Sequence, residues 1–198
     1  MNTETETETE SKPNPLPIEV RKFMLEILFN KKYESDEEFE KIVNNPVEMN
    51  KIQTDLQTIQ KSDYWGRITW TFLHVMSSKI KDECFDSFKD EYLDMCKKIC
   101  KNVPCGVCKR HASIVMDNID FELIQTTNDL QSFFYDFHNS VNIGTDKPVF
   151  PEEDLSNYNE INTETMITVF KIVMEKTFKK DICDDFNVWI STNQDKFN

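Results

Sequence analysis

An all-α fold is predicted by three observations. The chain of 198 residues contains three glycines and seven prolines, too few for the tight turns an all-β protein needs. Its Leu, Phe, Ile, Lys and Glu content favours helices. Apolar residues recur at spacings of three and four through most of its length, the period of an amphipathic helix. With 38% hydrophobic residues the chain has enough apolar mass for a compact core.

Residues 1–17 begin with alternating Thr and Glu and end in Ser11-Lys12-Pro13-Asn14-Pro15-Leu16-Pro17. They offer almost nothing to bury and read as a disordered acidic tail. Residues 18–61 read as an N-terminal helical extension, with Val20, Phe23, Met24, Ile27 and Leu28 in one stripe and Phe39 to Val43 in another. A third stripe follows Pro46 at Met49, Ile52, Leu56 and Ile59.

Ser62 and Asp63 are good N-cap types ahead of Trp65, Ile68, Trp70, Phe72, Leu73, Val75 and Met76. Apolar residues on nearly every side predict a buried helix. Phe85, Phe88, Tyr92, Met95 and Ile99 mark a second helix, stopped by Asn102 and Pro104, and a third starts at Cys105 with Ala112, Val115, Met116 and Ile119 on one side. Asn128 with Gln131 reads as a capping box for a fourth, carrying Leu130, Phe133, Phe134, Phe137 and Val141 and ended by Gly144. Four helices with short connections predict a four-helix bundle as the core, residues 62–150. Residues 151–198 read as a C-terminal helical extension, an acidic connection followed by amphipathic helices over 163–179 and 184–190.

A net charge of −13 repels phosphate and argues against a nucleic-acid binder. Against that background, Met95 to Met116 holds no Asp or Glu, while Lys97, Lys98, Lys101, Lys109 and Arg110 supply five positive charges. Inside this stretch lies Cys105-Gly106-Val107-Cys108. A thiol at a helix N-terminus among cations loses its proton easily, because the helix dipole and the neighbouring charges favour the thiolate. No stretch reaches the roughly 20 apolar residues that span a bilayer, and the N-terminus lacks the basic start and apolar centre of a signal peptide. Six cysteines without an export signal point to redox or metal chemistry in the cytoplasm before a disulfide framework. His138 and Asn142, four apart, share a helix face with Phe134 one turn earlier. Trp70 and His74 share a face of the first core helix in the same way, so two lips of polar and aromatic side chains suit a flat heterocycle.

Trp65-Gly66-Arg67-Ile68-Thr69-Trp70-Thr71-Phe72-Leu73-His74, Cys105-Gly106-Val107-Cys108 and His138-Asn139-Ser140-Val141-Asn142 with Lys147 together resemble the Erv/ALR family of FAD-linked sulfhydryl oxidases. Small members of that family occur in the mitochondrial intermembrane space and in large cytoplasmic DNA viruses. The resemblance implies FAD held in the mouth of a helical bundle, with Trp65, Arg67, Trp70 and His74 as cofactor-binding candidates from the first core helix. His138, Val141, Asn142 and Lys147 would hold adenine, ribose or phosphate. It further implies that Cys105 exchanges with thiol-containing protein substrates while Cys108 lies beside the flavin and forms the charge-transfer thiolate. Electrons would pass to molecular oxygen, giving hydrogen peroxide, in a homodimer of the kind common in the family, in host cytoplasm or virion. Arg67 stands where the family usually has proline, and no cysteine follows the last cofactor segment until Cys183.

Cys96 and Cys100 are expected either as a shuttle pair or as buried small hydrophobes, and Cys84 and Cys183 have no assigned role. A rival reading makes Cys96, Cys100, Cys105, Cys108 and His111 a zinc site in a helical interaction module. Its ligands would straddle a helix end and a helix start, and it leaves the Trp70 and His138 faces unexplained.

Overall fold

The computed structural model describes residues 16–58 and 61–198; the acidic tail lies almost wholly outside them. Nine α-helices make up the described chain: α1 (Ile18–Phe29), α2 (Asp36–Val43), α3 (Pro46–Thr58), α4 (Lys61–Lys79), α5 (Asp82–Cys100), α6 (Gly106–Asn118), α7 (Thr127–Gly144), α8 (Thr163–Thr177) and α9 (Lys180–Asn193). A long 3-10 segment, Glu152–Glu160, joins α7 to α8.

The nearly all-round apolar pattern of α4 places it at the centre. Ile68, Phe72, Leu73, Val75 and Met76 are all buried, and α4 packs against α7, α8 and α1. Phe72 stacks on Phe170 of α8 with ring centroids 4.0 Å apart, and both meet Phe186 of α9 edge-on. Truncating a ring so placed costs about 3–5 kcal/mol. The stripe Met166, Val169, Phe170, Val173 and Met174 is therefore core, and α8 and α9 share one continuous apolar cluster with α4 to α7. The chain end is tied in as well. Asn198 N–H donates to Lys79 O at 2.8 Å and Lys81 N–H to Lys196 O at 3.0 Å, which seats Phe197 against Phe88.

A second, smaller cluster, Leu25, Tyr33, Phe39 and Ile52, holds α1 to α3 together. Since Val20 and Leu28 belong to the main core, α1 serves both. Arg67 of α4 fastens it by donating from Nη1 to the Leu28 carbonyl at 3.0 Å.

Two expected helix starts move. At Lys61 α4 is already helical, so Ser62 and Asp63 lie inside its first turn. The capping box of α7 is Thr126 with Asp129, one closed pair of reciprocal bonds at 3.1 and 2.9 Å, in place of Asn128 with Gln131. Thr126 is itself extended, with φ −136 and ψ 164, as an N-cap residue is, whereas Asn128 already lies inside the helix.

Candidate active site

Cys105 occupies the N-cap of α6. Its extended backbone turns Sγ back to accept from the Cys108 N–H at 3.3 Å, the bond a serine or aspartate oxygen makes in most helices. Cys108 Sγ donates to the same sulfur at 2.6 Å. Burial raises the Cys105 thiol, but hydrogen bonds from the Cys108 thiol and from the Cys108 and Val107 N–H groups, with the charge of Lys147, outweigh it and leave the Cys105 pKa below the ordinary thiol value. Cys108 moves up to about 11, through burial first and then its hydrogen bond to Cys105 and the charge there. Cys105 is thus the more acidic thiol of the reduced pair and Cys108 the less acidic.

Of the two expected sources of activation, the helix start is present in the Cys108 and Val107 N–H groups that face Cys105, and the cation acting on both thiols is Lys147, brought in by the segment after α7. Lys97 and Lys101 are engaged with Asp117 at 3.0 and 2.5 Å, and Lys98 with Asp185 at 2.9 Å.

An aromatic wall lines the same cleft as the dithiol. Trp70 stacks on His138 at 4.2 Å and meets Phe137 edge-on at 5.1 Å. His138 Nδ1 and His74 Nε2 are 3.0 Å apart in a buried hydrogen bond, which requires one ring to donate and the other to accept. Burial first, then the neighbouring His138, lowers the His74 pKa to about 3; burial first, then Lys147, lowers His138 to about 4. Both rings are neutral at pH 7.

Sequence reasoning missed what holds these rings. Tyr158 stacks on His74 at 4.8 Å, and Phe150 stacks on His138 at 5.1 Å and on His74 at 5.4 Å. Phe150 is itself pinned by its backbone: its N–H donates to Asn139 Oδ1 at 2.7 Å and its carbonyl accepts from Asn139 Nδ2 at 3.2 Å. The available signals were an aromatic bracketed by Pro148 and Pro151 in an otherwise acidic connection, and Asn139 inside the His138–Asn142 motif.

A cleft of about 1270 Å³ runs from the dithiol along α4 and α7 to the inner face of α1. Cys105, Cys108, Trp65, Arg67, Trp70, His138, Val141, Asn142 and Lys147 all border it. His74 stands behind His138, so its place is that of a support. Lys147 is set beside α7 by its N–H, which donates to the Asn142 carbonyl at 2.8 Å. Phe23 and Ile27 of α1 also border the cleft, a contribution the sequence did not announce.

The remaining cysteines are dispersed. Cys96 and Cys100 are buried in α5, with Cys100 reaching the wall of the cleft. Cys84 opens α5 and Cys183 lies in α9, away from it. The zinc reading is not supported. Among the described residues no three His, Cys, Asp or Glu side chains converge as metal ligands. The His111 ring is turned instead to α7, within 3.2 Å of where a Cβ on Gly144 would stand.

The sequence pattern of the Erv1 / Alr family matches residues 67–164. A protein of Invertebrate iridescent virus 6, named as an FAD-linked sulfhydryl oxidase, is 33% identical over 94 residues, covering 44% of this chain and 85% of that one. The chain belongs to the Erv1/Alr family. A second family relative, from Variola virus and named likewise, is 30% identical over 78 residues, 37% of this chain and 72% of its own. No solved structure matches. The family match takes in the dithiol, the aromatic wall, Lys147 and Tyr158, and leaves α1 to α3, nearly all of α8, and α9 outside it.

Proposed function

We propose that the chain is an FAD-linked sulfhydryl oxidase that makes disulfides in thiol-containing protein substrates, with Cys105 and Cys108 as its redox couple. The observation that carries the reading is the unequal dithiol set in the wall of a cleft lined by aromatic rings. The residues present fit FAD. The Trp70–His138 stack offers an apolar wall to a flat ring, the neutral imidazoles add no repelling charge there, Asn142 offers polar contacts, and Lys147 supplies the cation a pyrophosphate needs. Trp65, Arg67, Trp70, His138, Val141, Asn142 and Lys147 would hold the group, with His74 behind them. When bound, FAD supplies a two-electron acceptor that returns its electrons to dioxygen as hydrogen peroxide.

The chain's own part is thiol exchange. A substrate thiolate attacks Sγ of Cys105 in the oxidised couple; a substrate–Cys105 bond forms, the Cys105–Cys108 bond breaks, and Cys108 leaves as a thiolate. A second substrate thiol then displaces Cys105, which departs readily because the Cys108 and Val107 N–H groups and Lys147 stabilise its negative charge. The buried rings and Tyr158 exclude water from the wall of the cleft and fix the ring of His138.

Protein rather than nucleic-acid substrates are favoured by the net charge of −13. No helix among the described residues is long and apolar enough to cross a membrane, and the viral relatives support work in host cytoplasm or virion. A homodimer is part of the same proposal and is read by light scattering.

Purified protein loaded with FAD is expected to be yellow, to bleach with dithiothreitol under nitrogen, and in air to consume oxygen and release hydrogen peroxide. Cys108→Ser should abolish turnover while FAD stays bound. Full turnover in that variant would overturn the assignment.

A further inference from the structure

The dithiol sits in a collar of exposed residues whose charge the site itself does not use. Pro104, Gly106, Val107, Lys109 and Arg110 are all exposed around the half-buried Cys105 and Cys108. Of the five cations in the acid-free stretch, Lys97, Lys98 and Lys101 are engaged by Asp117 and Asp185. Lys109 and Arg110 pair with no carboxylate among the described residues. The Arg110 side chain folds back along α6 until Nη1 lies 4.0 Å from where a Cβ on Gly106 would stand, which sets a guanidinium at the rim of the couple. Beside it, Val107 is 47% exposed, an apolar contact next to the sulfur that a substrate must reach.

What marks Lys109 and Arg110 is their exposed place beside the couple, while the charge acting on the thiols comes from Lys147. Their position, one turn into α6 and exposed, is beside the sulfur that a substrate's reactive cysteine must reach during exchange.

Resting on the oxidase reading above, we propose that the rim of the dithiol, Val107, Lys109 and Arg110, is a docking surface for a protein segment in which the reactive cysteine is flanked by Asp or Glu and one apolar residue. The carboxylates meet Lys109 and Arg110, and the apolar side chain covers Val107. Charge complementarity of this kind raises the encounter rate and disfavours basic partners, and it weakens with salt. A generally acidic protein would otherwise repel such a segment, so the basic rim restricts its approach to the one place where exchange takes place.

The test uses the FAD-loaded full chain and the double reversal Lys109→Glu/Arg110→Glu, with three reductants: a dithiol peptide with acidic flanks, the same peptide with lysine flanks, and uncharged dithiothreitol. The native protein should prefer the acidic peptide over the basic one in kcat/KM by about tenfold or more at low salt, and the preference should shrink at high salt. The double reversal should invert the preference and leave dithiothreitol turnover within about twofold. Equal rates on the two peptides, or an equal loss on all three reductants, overturns the proposal. A flavin-independent readout separates the two readings. Reduced protein attacks a chromogenic mixed disulfide of each peptide through Cys105, forming a Cys105–peptide bond and releasing the chromogenic thiolate. Charge preference in this step with no oxygen uptake on any reductant sinks the oxidase reading and supports the docking surface; oxygen uptake with no preference does the reverse.

Discussion

Two cysteine pairs lie within one short stretch of this chain, and they are chemical opposites. Cys96 and Cys100 face the interior of α5, one turn apart and buried. Burial first, then the neighbouring Cys100, pushes the Cys96 thiol well above its ordinary value, and burial alone takes Cys100 to about 12. Cys105 and Cys108 straddle the start of α6, where free N–H groups point at sulfur and Lys147 adds charge. What separates inert from reactive is the four residues from Lys101 to Pro104, which end one helix and start another. A mid-helix thiol finds its backbone N–H groups already taken, whereas a thiol at an N-cap is given them.

Breaking the reactive pair should have the largest effect. Cys105→Ala is expected to reduce oxygen uptake with dithiothreitol to the level of free FAD, because no sulfur remains to take the substrate thiolate; substantial residual turnover would move the exchange step elsewhere. Next comes alkylation. In the reduced folded protein, iodoacetamide should label Cys105 first and at a pH below the ordinary thiol range, since its lowered pKa keeps the thiolate present as pH falls. Cys96 and Cys100 should label only on unfolding. Peptide mapping after a timed quench reads both, and early labelling of Cys100 would contradict its burial. Replacing Cys100 by serine is a smaller change. A hydroxyl in that apolar position should cost about 1–3 kcal/mol of stability, read by urea unfolding, while turnover on a protein dithiol persists. Loss of turnover on the protein dithiol with dithiothreitol oxidation intact would instead make Cys100 a shuttle.

Much of this contrast was legible in the sequence. The dithiol was visible as Cys-Gly-Val-Cys behind Pro104, and its helix-start position follows from Pro104 and the loss of the α5 stripe after Ile99. Local pattern carried both. Lys147 as the activating charge was not derivable from spacing, because it depends on how residues 145–150 fold back on α7, through Asn142 and Asn139. The helical class of the fold followed from composition and period. An amphipathic stripe such as that of α8 does not name the surface it covers; Phe72 against Phe170 does. Tyr158 and Phe150 escaped notice for the same reason. Each sits in a polar connection, and only tertiary packing turns them onto His74 and His138.

The imidazoles sharpen the comparison at smaller magnitude, because the desolvation that raises Cys96 and Cys100 lowers His74 and His138. Folded-state values of about 3 and about 4 lie below the ordinary histidine value of about 6.5, so across that interval the unfolded chain binds more protons than the folded one. Stability from this source is whole above pH ~6.5 and drains away as pH falls toward the folded values. Replacing His74 by phenylalanine removes one of the two titrating groups and the bond to His138 Nδ1. The variant should therefore unfold more easily at pH 7, yet lose stability less steeply between pH ~6.5 and pH ~4, read by thermal melts across that range. An unchanged slope would mean that the pair is charged, or solvated, in the folded protein, and that burial does not set the chemistry of this wall as it does that of α5.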